Sequence, residues 1–591
     1  MNYISTRGEV DPVKSKVAIV TGLAPDGGLF VPETIPAVTL ETIESMAQMT
    51  YREVAEIILP LYLTDYSDDD IREAVRLAYC SDRFYDDEIA PVRVLKRKSN
   101  GVSDSEANCV SASEANCDSA SEANCDSEAN CDSAGDRSGD SDCNEQIIRL
   151  LELFHGPTSA FKDFALQLLP RLLVKASADS AAKSIDALGN EASDECEIVI
   201  LVATSGDTGK AALEGFRDVP GTRVVVFYPE HGVSEVQKLQ MVTQQGNNVN
   251  VVAVNGNFDD AQTGVKKIFS DKDFAKRLGV NNMKLSSANS INWGRLVPQI
   301  VYYFWAYSRL INTKAISLGD KVVFTVPTGN FGNILACWYA YKMGLPVGKI
   351  VCASNSNNIL TDFINTGVYD KRREFVTTMS PSMDILISSN LERLLFEISG
   401  RDASAVRQWM EQLYRVGMYD VGASGLARIR ECFSGGCATE AETGDMIKTV
   451  FDEFDYLMDT HTAVGMRVYM EYMKLSDDRR PAIVVSTASP FKFASDVLES
   501  ITNAHNFADS DAAVVQDAVA QDAVASDAME SAAIIDTHNS AVELESLKQL
   551  SALSGLSIPT PLIDIDKREK LHFAVTEKTE MKQALIDVLF D

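Results

Sequence analysis

A chain of 591 residues is too long for one ordinary domain, and its 45% hydrophobic content is that of a globular protein. The formal net charge of −31 argues against nucleic-acid binding, but −22 of it lies in three segments, 101–142, 176–197 and 505–540, which leaves the body near −9. No run approaches the roughly 20 apolar residues of a membrane span, and Met1–Val10 has neither the basic start nor the apolar stretch of a secretory signal, so a cytoplasmic protein is expected.

Residues 1–98 read as an N-terminal domain. Between 99 and 144 the character changes. Ser103–Ser133 repeats SEANC four times, with no aromatic and one β-branched residue, Val110. Such a segment cannot bury enough surface to offset its ordering entropy, and it reads as a disordered acidic insert. A metal tract built on Cys109, Cys117, Cys125, Cys131 and nearby Cys143 is the competing reading; it lacks CxxC spacing and histidine neighbours. Without a secretory signal, the eleven cysteines are expected as free thiols.

A core is expected over 145–504. In "LFHGPTSAFKDFALQLL" (Leu153–Leu169) and just beyond, Phe161, Phe164, Ala165, Leu168, Leu169 and Leu172 recur at helical spacing, with Thr158 or Ser159 as N-cap. Lys162 falls in the first turn, off the apolar stripe. The helix dipole and the flanking Phe161 and Phe164 favour its neutral amine, the form that Schiff-base chemistry needs. The alternative is a surface lysine whose stem covers the aromatics. The Ala/Ser/Asp-rich stretch 176–195 reads as a short further insert.

Strands and helices then alternate. Strands are predicted at Glu197–Ala203, Thr222–Tyr228, Asn248–Val254, Lys321–Val326 and Pro481–Thr487. Helices are predicted in GKAALEGF, in VSEVQKLQMVTQQG up to Gly246, in FDDAQTGVKKIFS, in Ile300–Ile311, and in NILACWYAYKMG up to Gly344. Continuous β-branched runs alternating with helices mean an α/β fold, a parallel sheet covered on both faces.

Three strand-to-helix junctions and one helix start carry chemistry. In "ATSGDTGKAAL" (Ala203–Leu213), Ser205, Asp207 and Thr208 form a nest of hydroxyl and N–H groups suited to a carboxylate or phosphate. Its glycine spacing, with Ala211 after Lys210, is not that of a P-loop. In "LSSANSINWGRLVPQ" (Leu285–Gln299), Ser290 and Asn292 precede a helix with Arg295 near its start, placed either to grip a phosphate or to sit on the surface. In "VPTGNFGNIL" (Val326–Leu335), a glycine-rich loop aims N–H groups and a helix start at an anion, or makes only a tight turn. "STASPFKF" (Ser486–Phe493) is a hydroxyl-rich turn at a strand end. The junctions fall at carboxyl ends of parallel strands, where such sheets bind ligands. A reactive lysine, a phosphate cradle and an anion nest together suggest pyridoxal phosphate. Residues 505–542, with a QDAVA-like repeat, read as a second acidic insert, and 543–591 as the C-terminal part of the core.

Eight stretches in order resemble the threonine synthase family in its longer bacterial and fungal form: YISTRGE, GLAPDGGLFVPE, HGPTSAFKDFALQ, ATSGDTGKAAL, SSANSINWGRLVPQ, PTGNFGN, DTHTAVG and STASPFKF. The resemblance covers nearly the whole chain outside the three inserts. The resemblance implies a tryptophan-synthase-β-like, fold type II core with an additional N-terminal domain. It implies that Lys162 carries pyridoxal 5'-phosphate in Schiff-base linkage and that Gly329, Asn330, Phe331, Gly332 and Asn333 bind the cofactor phosphate. It places Thr487 beside the pyridine nitrogen, where a neutral hydroxyl moderates the electron sink. The family reaction converts O-phospho-L-homoserine and water to L-threonine and phosphate, with the Lys162 amine as mobile base. The nest at Ser205, Asp207 and Thr208 would hold the substrate carboxylate, and Arg295 with Ser290 and Asn292 its phosphate. A rival enzyme reading is a threonine-synthase-like phospho-lyase that releases 2-oxobutyrate. A rival of another class is a non-catalytic interaction protein on the same scaffold, against which the intact Lys162 and phosphate loop speak. The expected partner is a small-molecule substrate, with no metal, nucleic acid or membrane.

Overall fold

The computed structural model describes residues 1–98, 147–181, 196–204, 206–230, 233–502 and 542–590. The insert expected at 99–144, most of those at 176–195 and 505–542, and Ser205 lie outside the described residues.

The N-terminal part is mostly helical, with strands Tyr3–Ser5 and Phe30–Pro32 paired antiparallel. Its helix Tyr51–Tyr62 starts at a capping box in which Thr50 and Glu53 satisfy each other's backbone N–H groups. The buried face of that helix, Tyr51, Val54, Ala55, Ile58 and Leu59, packs on the long helix Trp293–Asn312, with the Tyr51 and Trp305 rings 5.7 Å apart. Asn292 and Ser286 donate to the carbonyls of Ile19 and Val20, so this part braces the start of the helix that carries Arg295.

Besides a two-stranded antiparallel pair, Val368–Asp370 with Met418–Asp420, the rest of the described residues hold two larger sheets. In chain order the strands of these two sheets are β1 (Val92–Val94), β2 (Ile148–Glu152), β3 (Glu197–Ala203), β4 (Thr222–Pro229), β5 (Val249–Asn255), β6 (Met283–Ser286), β7 (Val322–Pro327), β8 (Val347–Ser354), β9 (Phe433–Cys437), β10 (Ala482–Ser486) and β11 (Ala574–Glu577). The larger sheet has the order β9-β8-β7-β10-β2-β1, parallel except for the edge strand β1. The smaller is all parallel, in the order β11-β5-β4-β3-β6. All six residues of β7 and all five of β10 are buried, as befits strands covered on both faces. Trp293–Asn312 is buried on nearly every side, which explains its run of apolar and aromatic residues. β11 supplies the edge of the smaller sheet, and the final helix, Met581–Phe590, buries Met581, Leu585 and Leu589 against it.

Three local readings change. The helix after Tyr228 spans Glu235–Val242 and ends short of Gly246. The helix Leu169–Ala181 runs on past residue 176, into the stretch read as an insert. The segment around Lys162 is broken: a five-residue helix, Lys162–Leu166, precedes Leu169–Ala181. Its N-cap is Phe161, whereas Ser159 takes a left-handed conformation (φ 57°) and Thr158 instead binds the buried Asp163 carboxylate through its N–H and hydroxyl, at 2.8 and 2.7 Å. No helix among the described residues is long and apolar enough to cross a membrane.

Candidate active site

One cavity gathers most of the residues singled out in the sequence. It is lined by Lys162, Asp207, Thr208, Ser290, Arg295, the whole run Gly329–Asn333, and Thr487. Lys162 follows the carboxyl end of β2. Its loop is tied to the turn after β10 by a bridge between Ala160 and Ala488, and the Phe161 N–H donates to the Thr487 carbonyl at 2.8 Å. The adjacency of β2 and β10 therefore sets Lys162 beside Thr487.

The Lys162 ammonium group lies 3.0 Å from Asp207 Oδ2 and 3.1 Å from Ser382 Oγ. Burial lowers its pKa; the Asp207 carboxylate opposes that, Lys492 and Arg295 add to it, and the net shift is downward. Desolvation leads the causes, and the helix that Lys162 opens is a single short turn.

The glycine-rich loop joins β7 to the helix Gly332–Lys342. Phe331, the N-cap, is left-handed at φ 62° with its ring buried against Phe433. A non-glycine residue there costs on the order of 1 kcal/mol, and such strain collects at functional sites. Ser388 and Asn390 donate to the carbonyls of Gly329 and Asn330. The N–H groups of residues 329–334 have no partner among the described residues. The loop's acceptors are satisfied and its donors are not, which is the polarity an anion needs.

Two further buried donors line the cavity unpaired. Tyr302 and Tyr303 donate to Asn333 Oδ1 at 2.6 Å each, which leaves Asn333 Nδ2 without a partner. Arg295 donates from Nη1 to the Ala288 carbonyl, its Nε is unpaired, and it makes no ion pair among the described residues. Burial pushes its pKa down to about 10. A buried guanidinium with no carboxylate is costly unless an anion joins it. Amine, N–H cradle and uncompensated arginine together fit pyridoxal phosphate, whose aldehyde and phosphate need the first two.

Asn292 is not part of this cavity: its amide caps the Arg295 helix by accepting from Gly294 N–H and donates to Ile19 and Ser287 carbonyls. Asp207 is in the cavity, but its carboxylate serves cations. Burial raises its pKa, and Lys162 with Lys492 more than reverse that, holding it well below the usual carboxylate range. An anionic side chain so placed does not bind a substrate carboxylate; Thr208 and the helix start remain for that. Ser205 lies outside the described residues.

Sequence reasoning did not single out His461, Ser382, Gln299 or Lys492. The first three line the cavity. The N-cap Asp459 accepts from His461 N–H, and its Oδ1 lies 2.9 Å from the ring Nδ1; His461 Nε2 accepts from Ser382 N–H at 3.1 Å. The ring thus pins the 380–384 loop over Lys162. His461 and Lys492 sat in quoted motifs, DTHTAVG and STASPFKF, whereas Ser382 had no local signal.

The fold and this cavity define a class, the pyridoxal-phosphate-dependent enzymes built on open parallel sheets. Residues 138–432 match the family model described as pyridoxal-phosphate dependent enzyme, 2–79 match threonine synthase N terminus, and 462–535 match threonine synthase, C-terminal. The chain is 37% identical over 497 residues to threonine synthase from Pseudomonas aeruginosa, covering 83% of this chain and 89% of that one. A solved structure described as PLP-bound threonine synthase from Brucella melitensis superposes with a TM-score of 0.72 at 32% identity, over 100% of this chain and 98% of that chain. Human threonine synthase-like 1 is 37% identical over 494 residues, 82% of this chain and 57% of that longer protein. The chain belongs to the threonine synthase family.

Proposed function

We propose that this pyridoxal-phosphate-dependent lyase converts O-phospho-L-homoserine and water to L-threonine and phosphate. The observation that carries the reading is one cavity lined by a desolvated lysine amine and by two sets of unpaired donors, those of the Gly329–Asn333 loop and that of Arg295. A cofactor phosphate and a substrate phosphate need one each.

In this reading Gly329, Asn330, Phe331, Gly332 and Asn333 hold the cofactor phosphate through N–H groups, and the Thr487 hydroxyl meets its ring nitrogen. Bound there, pyridoxal phosphate supplies the electron sink that stabilises negative charge on the substrate carbons. Arg295 and Ser290 hold the substrate phosphate. Thr208 and the N–H groups opening the helix Asp207–Phe216 hold its carboxylate, with Ser205 beside them. Freed as a neutral amine, Lys162 takes a proton from Cα and then one from Cβ as phosphate leaves Cγ, and protons return to Cγ and Cα as water adds at Cβ. His461 and Ser382 keep the covering loop in place. A cytoplasmic location belongs to the same reading, supported by free thiols at the six described cysteines. The division into 1–98, 145–504 and 543–591 belongs to the same reading: the match over 2–79 supports a separate first part, and β11 pairing with β5 supports joining 543–591 to the core.

The test is a stoichiometric assay with O-phosphohomoserine. One threonine should appear per phosphate released. Release of 2-oxobutyrate and ammonia instead would make the chain a phospho-lyase.

A further inference from the structure

Lys492 stands in the turn Pro490–Phe493, just beyond Thr487, with its side chain wholly enclosed. Its Nζ lies 2.5 Å from Asp207 Oδ1 and donates to the Thr158 carbonyl at 3.0 Å. The other carboxylate oxygen, Oδ2, accepts from Lys162 at 3.0 Å and from Ser382 Oγ at 3.3 Å, while Gln237 Nε2 donates to Oδ1 at 2.9 Å. One buried carboxylate thus couples the buried Lys492 and the part-buried Lys162, from distant parts of the chain. If Lys162 were the sole partner of Asp207, discharging the amine would strand a buried carboxylate, a costly state. With Lys492 in place the carboxylate stays paired.

We propose that Lys492 is a positioning residue acting through Asp207: it holds that carboxylate so that Lys162 can leave the ion pair as a neutral amine and return to it. This rests on Lys162 being the reactive lysine. The charged groups facing Lys162 are Asp207, Lys492 and Arg295, and only Asp207 favours the ammonium form. Lys492 also grips the 158–162 loop at Thr158, so one side chain fixes both the lysine's loop and its counter-ion.

The test reads the basicity of Lys162 directly. The full-length chain, freed of cofactor, is acetylated with acetic anhydride across a pH series, and the Lys162 peptide is quantified by mass spectrometry. In Lys492→Met, Lys162 is the one cation left against Asp207 among the described residues. The labelling midpoint should rise by about one pH unit or more, roughly a tenfold smaller neutral fraction below it. Lys492→Arg should stay near wild type. In an Asp207→Asn background the Lys492→Met shift should fall by at least half, the non-additivity of residues acting as a unit. In the loaded enzyme the acid limb of kcat/KM should move the same way. Should Lys492→Met fail to fold, Lys492→Gln keeps a donor to the Thr158 carbonyl and carries the same expectation. An unmoved midpoint, or an equal shift without Asp207, overturns the proposal. A Lys162→Ala protein that still shows lysine-bound cofactor absorbance overturns instead the reading of the site.

Discussion

At the scale of single residues, the site is an exercise in keeping charges off balance. Lys162→Ala should leave the fold intact while abolishing the lysine-bound cofactor absorbance and turnover, because Asp207 keeps Lys492 as partner. The lowered pKa of Lys162 has a consequence for stability. A lysine so shifted binds fewer protons folded than unfolded, so its contribution rises with pH from the lowered value to the ordinary one near 10.4. The urea midpoint of the cofactor-free wild type should therefore gain on that of Lys162→Met as pH climbs towards about 10. A pH-independent difference would mean that the amine is not perturbed. Arg295→Ala should impair use of phosphohomoserine more than cofactor binding, by about 2–3 kcal/mol in kcat/KM. A loss below about threefold would remove Arg295 from the substrate site.

At the scale of elements, the β7-to-helix loop separates two reasons for glycine. A Cβ on Gly329 would come within 2.6 Å of the Ser382 carbonyl, a backbone atom that cannot yield easily. Gly329→Ala should displace the 380–384 loop and weaken cofactor binding through the protein itself. At Gly332 no protein atom comes nearer than 3.7 Å, so the chain alone does not demand a glycine there. Gly332→Val should lower cofactor affinity while leaving the urea midpoint of the apo fold nearly unchanged. Equal cofactor affinity in that variant would place the phosphate elsewhere. Phe331, strained and buried, locks the turn between these two glycines.

Over the whole molecule, the site is assembled from regions far apart in the chain. The antiparallel pairing of β1 with β2 brings Val94 opposite Arg149, and Leu95 N–H donates to the Ile148 carbonyl at 2.9 Å. Leu95 and Ile148, which flank the repeats in the chain, are thus bonded neighbours at one sheet edge. Replacing 103–142 with a brief Gly/Ser linker should leave steady-state kinetics unchanged and shift stability by roughly 1 kcal/mol or less, since loop closure depends only logarithmically on length. A large loss of activity, or a stoichiometric metal lost with the segment, would show the repeats to be a working module.

Much of this was legible in the sequence, because it is local. Glu197–Ala203 and Phe258–Ser270 carry their periodicity within themselves, and their bounds stand as read. The glycine-rich loop and the lysine's hydrophobic setting are likewise short-range patterns. Other features came only with the tertiary structure. That the strands divide into two sheets depends on pairing partners such as β11 and β5, more than 300 residues apart, which no local run encodes. Asn292 looked like a ligand because polar residues before a helix start bind and cap alike; its cap geometry decided between them. Asp207 looked like part of an anion nest until Lys162 and Lys492 were brought against it. Ser382 entered only because His461 draws its loop over the cavity. Residue type and spacing set which chemistry is available to this chain. Which charge faces which is an outcome of long-range packing, because an ion pair is made in space between segments that the sequence keeps apart.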